Sequence, residues 1–226
     1  MRADKKGKSA SAASKRRVPT QARSLRRYEA ILTAAAEAFA DHGFDATTME
    51  GIAARADTSI GSLYQFFPNK LAVFRELAQR GLALSRETFA KLLGSNPAER
   101  PWRELVDVMV DGYRELQQHP TMRAIFGNIQ LYGEYAEDDA VLLRDMTTTV
   151  ATLCGVWAPH LEAHQRTVIA TLVVNTVATA ELLIAREDEI GDDLVEETKT
   201  LVIRYLEPYV EPPAKPAKKT RSKSRT

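Results

Sequence analysis

Hydrophobic positions along this chain recur every three or four residues, and strand-like alternation is not sustained anywhere, so the pattern predicts an all-α body. Tyr28, Ile31, Leu32, Ala35 and Phe39 form one apolar stripe on a helix that Gly43 ends. In the stretch TTME, Thr47 is placed to cap a second helix while Glu50, three residues on, reaches back to close a capping box. That helix is short, ending near Ala56 with Met49, Ile52, Ala53 and Ala56 inward, and Asp57 and Thr58 make the tight turn after it. A third short helix runs from Ser59 to Phe66 and stops before Pro68. Asn69 then caps a fourth, extending to about Leu93 and roughly 36 Å long.

Further helices follow. Trp102, Leu105, Val106, Met109, Val110, Tyr113 and Leu116 give a clean stripe behind Pro101, Ile125, Phe126 and Ile129 a shorter one, and Leu143, Met146, Val150, Leu153 and Trp157 another, ended by Pro159. The segment from Thr167 to Ala185 is apolar or small nearly all round, which predicts a helix covered on every side. It is too polar and too closely flanked by acids to span a membrane, and no membrane partner is expected. The last helix, near Asp193 to Val210, carries two adjacent stripes, Leu194/Thr198/Leu201/Tyr205 and Val195/Val202/Leu206/Tyr209, and a second subunit is the natural cover for the surplus.

Charge changes this picture. The 226 residues carry a formal net charge of +1, but residues 1–27 hold ten Lys/Arg against one acid and residues 211–226 hold six against one. The body between is strongly acidic. Residues 1–22 and 211–226 read as disordered basic arm and tail, an asymmetry that points to a polyanionic partner. The composition of the tail fits either loose DNA contact or solubility. The lack of a signal-like apolar stretch and the single cysteine, Cys154, placed on the core stripe, give the cytoplasm as the expected location.

A short helix, a tight turn and a second short helix behind a supporting amphipathic one is the plan of a helix-turn-helix unit, assigned here to residues 23–69. On the third helix, Ser59, Leu63, Phe66 and Phe67 turn toward the protein, while Ile60, Gly61, Tyr64 and Gln65 share the opposite face. Gly61 removes a side chain and lets backbone approach a duplex. Tyr64 suits a phosphate or a base edge, Gln65 an adenine edge and Ile60 a thymine methyl. Hydroxyls at helix starts, Thr47, Thr48, Ser59 and Ser62, suit phosphate oxygens. Lys70 sits in the first turn of a helix, against the macrodipole, and a phosphate bridging its ammonium and the free N–H groups resolves that conflict. Residues 28–80 hold four basic and seven acidic residues, so Arg16, Arg17, Arg23, Arg26 and Arg27 are expected to supply much of the attraction to DNA.

The stretch FDATTMEGIAARADTSIGSLYQFFPNK, Phe44 to Lys70, resembles the signature of the TetR/AcrR family of one-component bacterial transcriptional regulators. Thr47/Thr48, Ile52-Ala53, the Gly61-Ser62-Leu63-Tyr64 run, Phe67 and Lys70 fall in register with it. Asp57 stands where the family favours a turn glycine, and Ile60 where a polar or basic residue is frequent. The resemblance implies an N-terminal three-helix helix-turn-helix domain followed by a larger helical ligand-binding and dimerisation domain, here 70–210. It also implies a homodimer on a palindromic double-stranded DNA operator, a small-molecule effector, and repression more readily than activation.

In the second domain Tyr113, Phe126, Tyr132, Met146 and Trp157 are candidates to line an effector pocket. Asn175, between Thr171 and Thr179, either orients a ligand or bonds across a dimer interface, and Glu181 either recognises a cation or reaches water. His160 and His164 stand at i, i+4, but Pro159 breaks the geometry and a third ligand is lacking, so they read as surface histidines rather than a metal site. No catalytic triad order, phosphate-cradling glycine loop or paired-carboxylate motif is present, and neither an enzyme nor a cofactor is expected. The rival reading is a helical small-molecule sensor or carrier that acts through a protein partner without specific DNA binding.

Overall fold

A computed structural model of the chain describes residues 22–185 and 189–211. Except for Ala22 and Glu211, the arm and tail expected over 1–22 and 211–226 lie outside the described residues. Among the described residues the regular structure is helical: α1 (Ala22–Ala46), α2 (Met49–Arg55), α3 (Ile60–Phe66), α4 (Lys70–Leu93), α5 (Trp102–Gln117), α6 (Pro120–Phe126), α7 (Ala136–Trp157), α8 (Ala163–Ile184) and α9 (Gly191–Val210). Short 3-10 turns at Pro97–Glu99 and Ile129–Glu134 join α4 to α5 and α6 to α7.

The local signals act mostly where the pattern put them. Gly43 breaks the ladder of α1 with φ 75° and ψ 167°, a geometry that a Cβ disfavours. Asp57 makes the α2–α3 turn at φ 48°, the Ser59 side chain accepts from Ser62 N, and Asn69 Oδ1 accepts from Ala72 N at 2.8 Å. The cap of α2 is different from the expected one. Thr48 Oγ1 accepts from Gly51 N at 3.0 Å, so the residue three beyond the cap is a glycine with no side chain to reach back, and the Thr47–Glu50 capping box is not formed.

Leu63 and Phe67 anchor α3 in a core built from Ile31, Leu32 and Phe39 of α1, Ile52 of α2 and Phe74 of α4. The same cluster continues into Met122 and Ile125 of α6 and reaches Tyr135, so the N-terminal helices and the larger domain share one apolar interior. A second cluster, including Trp102, Cys154, Leu161, Ile169, Val202 and Leu206, ties α5, α7, α8 and α9 together. The expectation that α8 is covered on every side fails within one chain. Leu172 is 50% exposed, and Val168 and Leu183 are similarly open. By length and composition α8 is apolar enough to cross a membrane, yet its other side packs on α7 and α9. On α9, Val195, Val202 and Leu206 are buried whereas Leu201 is 53% exposed.

Two cations fasten α4 to α1. Lys70 Nζ donates to the carbonyls of Phe44 at 2.5 Å, Asp45 at 3.2 Å and Thr47 at 2.7 Å, and lies 4.4 Å from the centroid of the Phe44 ring. Its charge therefore serves the carbonyl end of α1 and not the amide end of its own helix, which removes the apparent conflict with the macrodipole. Ten residues on, Arg80 grips Glu29 through Nη1 and Nη2 at 2.5 and 2.7 Å and rests over the Tyr28 ring. The Arg80 hydrogen bonds hold the Glu29 carboxyl below its usual range. Replacing Lys70 with Met keeps the stem and removes the ammonium; we expect it to lower the unfolding free energy by about 1–3 kcal/mol, as read by urea denaturation.

Candidate nucleic-acid interface and effector cavity

The outward side of α3 is free of protein. Ile60 is 37% and Tyr64 49% exposed, Gly61 and Gln65 are also open, and a Cβ placed on Gly61 meets nothing within 4 Å. The protein's own packing gives no reason for a helix-weakening glycine there, while a close-approaching outside surface does. These four residues stand opposite Leu63 and Phe67, whose burial fixes the rotation of the helix. Ser59, expected to turn inward, is exposed, and its hydroxyl lies 2.8 Å from that of Ser62. Thr48 is exposed at the start of α2, and Arg26 is exposed in the second turn of α1.

Two expected phosphate ligands are otherwise engaged. Thr47 is only 5% exposed, and its hydroxyl points at the carbonyls of Ala38 (3.1 Å) and Gly43 (2.8 Å), a role in closing α1 that its neighbour Thr48 does not share. An ammonium has three donors, and all three of Lys70's are directed at carbonyls, so the phosphate bridge expected of it has no donor left. Arg55, on α2, is likewise drawn to Asp41 at 3.1 Å.

A cavity of about 310 Å³ lies between α4, α5, α6, α7 and α8. Five of the six expected lining residues, Tyr113, Phe126, Tyr132, Met146 and Asn175, border it. Trp157 does not: the last residue of α7 packs in the second cluster, beyond the end of the cavity. Asn175 also faces an outer groove between α8 and α9, with its Nδ2 donating to Thr171 O at 2.8 Å, so its side chain follows the helix. The Tyr113 hydroxyl donates to Ser85 O at 3.3 Å, and burial pushes its pKa up. Tyr132 donates to Asp139 Oδ2 at 2.9 Å, and its pKa rises to about 12, first through burial and then through that bond.

Residues 31–77 match the family of bacterial regulatory proteins called tetR, and residues 101–206 match the tetracyclin repressor-like C-terminal domain. The chain belongs to the TetR family. The matched head, α1 to α4, is the part in which that family of regulatory proteins carries its helix-turn-helix. Over 106 residues it is 27% identical to the probable acrEF/envCD operon repressor of Escherichia coli K12, a match spanning 47% of this chain and 48% of that one. The chain thus spans about half the length of the curated relatives it matches. A TetR-family transcriptional regulator from Pectobacterium atrosepticum superposes with a TM-score of 0.65 at 20% identity, covering 86% of this chain and all of that one. SmeT, the repressor of the Stenotrophomonas maltophilia multidrug efflux pump SmeDEF, gives a TM-score of 0.61 at 24% identity over 81% of this chain and 90% of its own. These two likenesses speak to the fold.

In this TetR-family chain the residue that joins head to cavity is one the hydrophobic pattern did not mark. Asn128, 1% exposed, follows α6 by two residues. Its Oδ1 accepts from Phe44 N at 2.6 Å, the amide left free where Gly43 breaks α1, and its Nδ2 donates to Ala124 O at 2.7 Å and Phe39 O at 3.4 Å. Phe126 borders the cavity, so Asn128 links a helix of the cavity wall to the end of α1. Asp139 and Tyr135, also on the cavity wall, were equally hidden: an acid in a helix's first turn has an ordinary dipole explanation. Asn128→Ala leaves the partly buried Phe44 amide without its side-chain acceptor. We expect it to cost about 1–3 kcal/mol of stability and to speed hydrogen exchange at Phe44 relative to the α8–α9 core.

Proposed function

We propose that this regulator is a homodimeric repressor that reads a palindromic operator through α3 of each subunit and lets go when a small molecule enters the cavity. Residues 23–69 act as the DNA-reading unit and 70–210 as the effector and dimerisation unit, working in the cytoplasm. One observation carries this reading: Ile60, Gly61, Tyr64 and Gln65 form an open face on a helix whose back is locked into the core by Leu63 and Phe67. Tyr64 and Gln65 read base edges or adjacent phosphates, Ile60 offers a contact to a thymine methyl, and Gly61 lets the backbone approach. Thr48, Ser59, Ser62 and Arg26 position the duplex through its phosphates. Lys70 and Thr47 contribute indirectly, by holding the α1–α2 connection that sets the height of α3.

Dimerisation follows from the apolar face left open on α8 and α9, where Leu172, Leu183 and Leu201 border one groove. A second copy covers that surface and spaces two recognition helices for successive major grooves. Release works by differential affinity: an effector favouring one position of α6 and α4 alters the spacing of the heads through Asn128, Lys70 and Arg80. The similarity to a named operon repressor supports repression, and the apolar walls of the cavity support a largely hydrophobic effector.

In gel-shift titrations against the DNA upstream of the protein's own gene, Tyr64→Ala and Gln65→Ala should each weaken binding about 10- to 100-fold while leaving the circular dichroism spectrum and dimer mass unchanged. Full affinity in both variants would remove α3 from the interface. Leu201→Glu puts a charge on the open face, and analytical ultracentrifugation should find it monomeric at concentrations where the parent sediments as a dimer.

A further inference from the structure

The effector cavity is mostly apolar, yet two carboxyl groups open into it from facing helices, Asp139 from α7 and Glu181 from α8. Glu181 is half-buried and lines the cavity. Among the described residues no cation acts on either group. Burial and the nearby Asp139 raise the Glu181 carboxyl to about 8, and burial raises Asp139 as well, even against the Tyr132 hydrogen bond. Burial and the closeness of the two groups make it costly to ionise both carboxyls in the empty protein. Tyr113, Phe126, Tyr132 and Tyr135 supply π faces around the same space, and the Tyr132 and Tyr135 rings pack edge to face at 5.1 Å. Aromatic faces beside carboxylates and apolar walls form an environment suited to a bulky, weakly hydrated positive charge.

We propose that the effector is a lipophilic organic cation whose charged centre lies between Asp139 and Glu181, with its apolar body along the α4, α5 and α6 walls. This rests on the reading of the cavity as the effector site. Acyl anions meet repulsion in the same place, and neutral phenols or alcohols gain only the apolar contacts. The cation draws Glu181 into its ionised form, so uptake of a permanent cation expels a proton. Its affinity therefore rises with pH below the carboxyl's value of about 8 and flattens above it. The titratable groups facing Glu181 are Asp139 from α7 and Tyr113 from α5, while Glu197 and Arg204 of α9 border the outer groove on the other side of α8.

The test uses the full chain without DNA and three ligands sharing one tail: decyltrimethylammonium, decanol and decanoate, titrated by calorimetry. The ammonium should bind at least about tenfold tighter than the alcohol, with the carboxylate weakest. Glu181→Gln should cost the ammonium about tenfold, leave decanol unchanged and abolish the pH slope; Asp139→Asn should weaken the ammonium alone. Decanol or decanoate binding as tightly as the ammonium, no binding of any of the three, or ammonium affinity unchanged in both variants would each overturn the proposal. Because operator binding is measured separately, a protein that still grips its DNA but fails these titrations loses only the cation assignment, not its role as a regulator.

Discussion

The ammonium of Lys70 is the constraint on which the head's geometry depends. Gly43 ends the regular part of α1 and strands carbonyls at Phe44, Asp45 and Thr47, and one cation from the start of α4 collects all three. A helix end buried without partners is costly, so this contact lets α1 stop, turn and lead into α2 within a few residues. The turn sets where α2 and α3 sit, and hence where Tyr64 and Gln65 point. The signal lysine of the motif thus has partners within the protein, where it fixes the α1–α2 connection that leads to α3.

The same short stretch of α1 is held from the other side by Asn128. Phe44 gives its carbonyl to Lys70 and its amide to Asn128, so the exit of α1 is clamped between the first turn of α4 and the residue after α6. Both of those helices border the cavity. Ile125, Met122 and Phe74 share one continuous core with Leu63, so the cavity wall and the head are packed together without a break. Arg80 adds a second tie from α4 to α1 through Glu29, one that weakens as pH falls through the depressed carboxyl value and Glu29 takes up a proton.

Much of the site was legible in one dimension and some of it was not. The open and closed sides of α3 follow from spacing, because Leu63 and Phe67 are the large apolar residues that α3 can bury and the opposite positions have nowhere else to go. Choosing between adjacent threonines was beyond spacing. Thr47 and Thr48 have the same chemistry, and which one caps depends on where α1 kinks. Lys70 misled because the macrodipole of its own helix is a local quantity, whereas its partners lie 23 to 26 residues back along the chain. Trp157 misled because a helical stripe gives a direction and not a depth, and the stripe of α7 runs past the end of the cavity.

Taken alone, the sequence determined the helical content, the turn at Asp57, the caps at Ser59 and Asn69 and the facing of α3, since each depends on residues within a turn or two of one another. The closure of α1 by a distant lysine, the bond from Asn128 to the Phe44 amide and the meeting of Asp139 with Glu181 across an apolar space were decided only by tertiary structure. These are contacts between polar groups far apart in the chain. Polar residues carry no periodic signature of their partners, and burial alone turns an ordinary asparagine, lysine or glutamate into one with a single place to go.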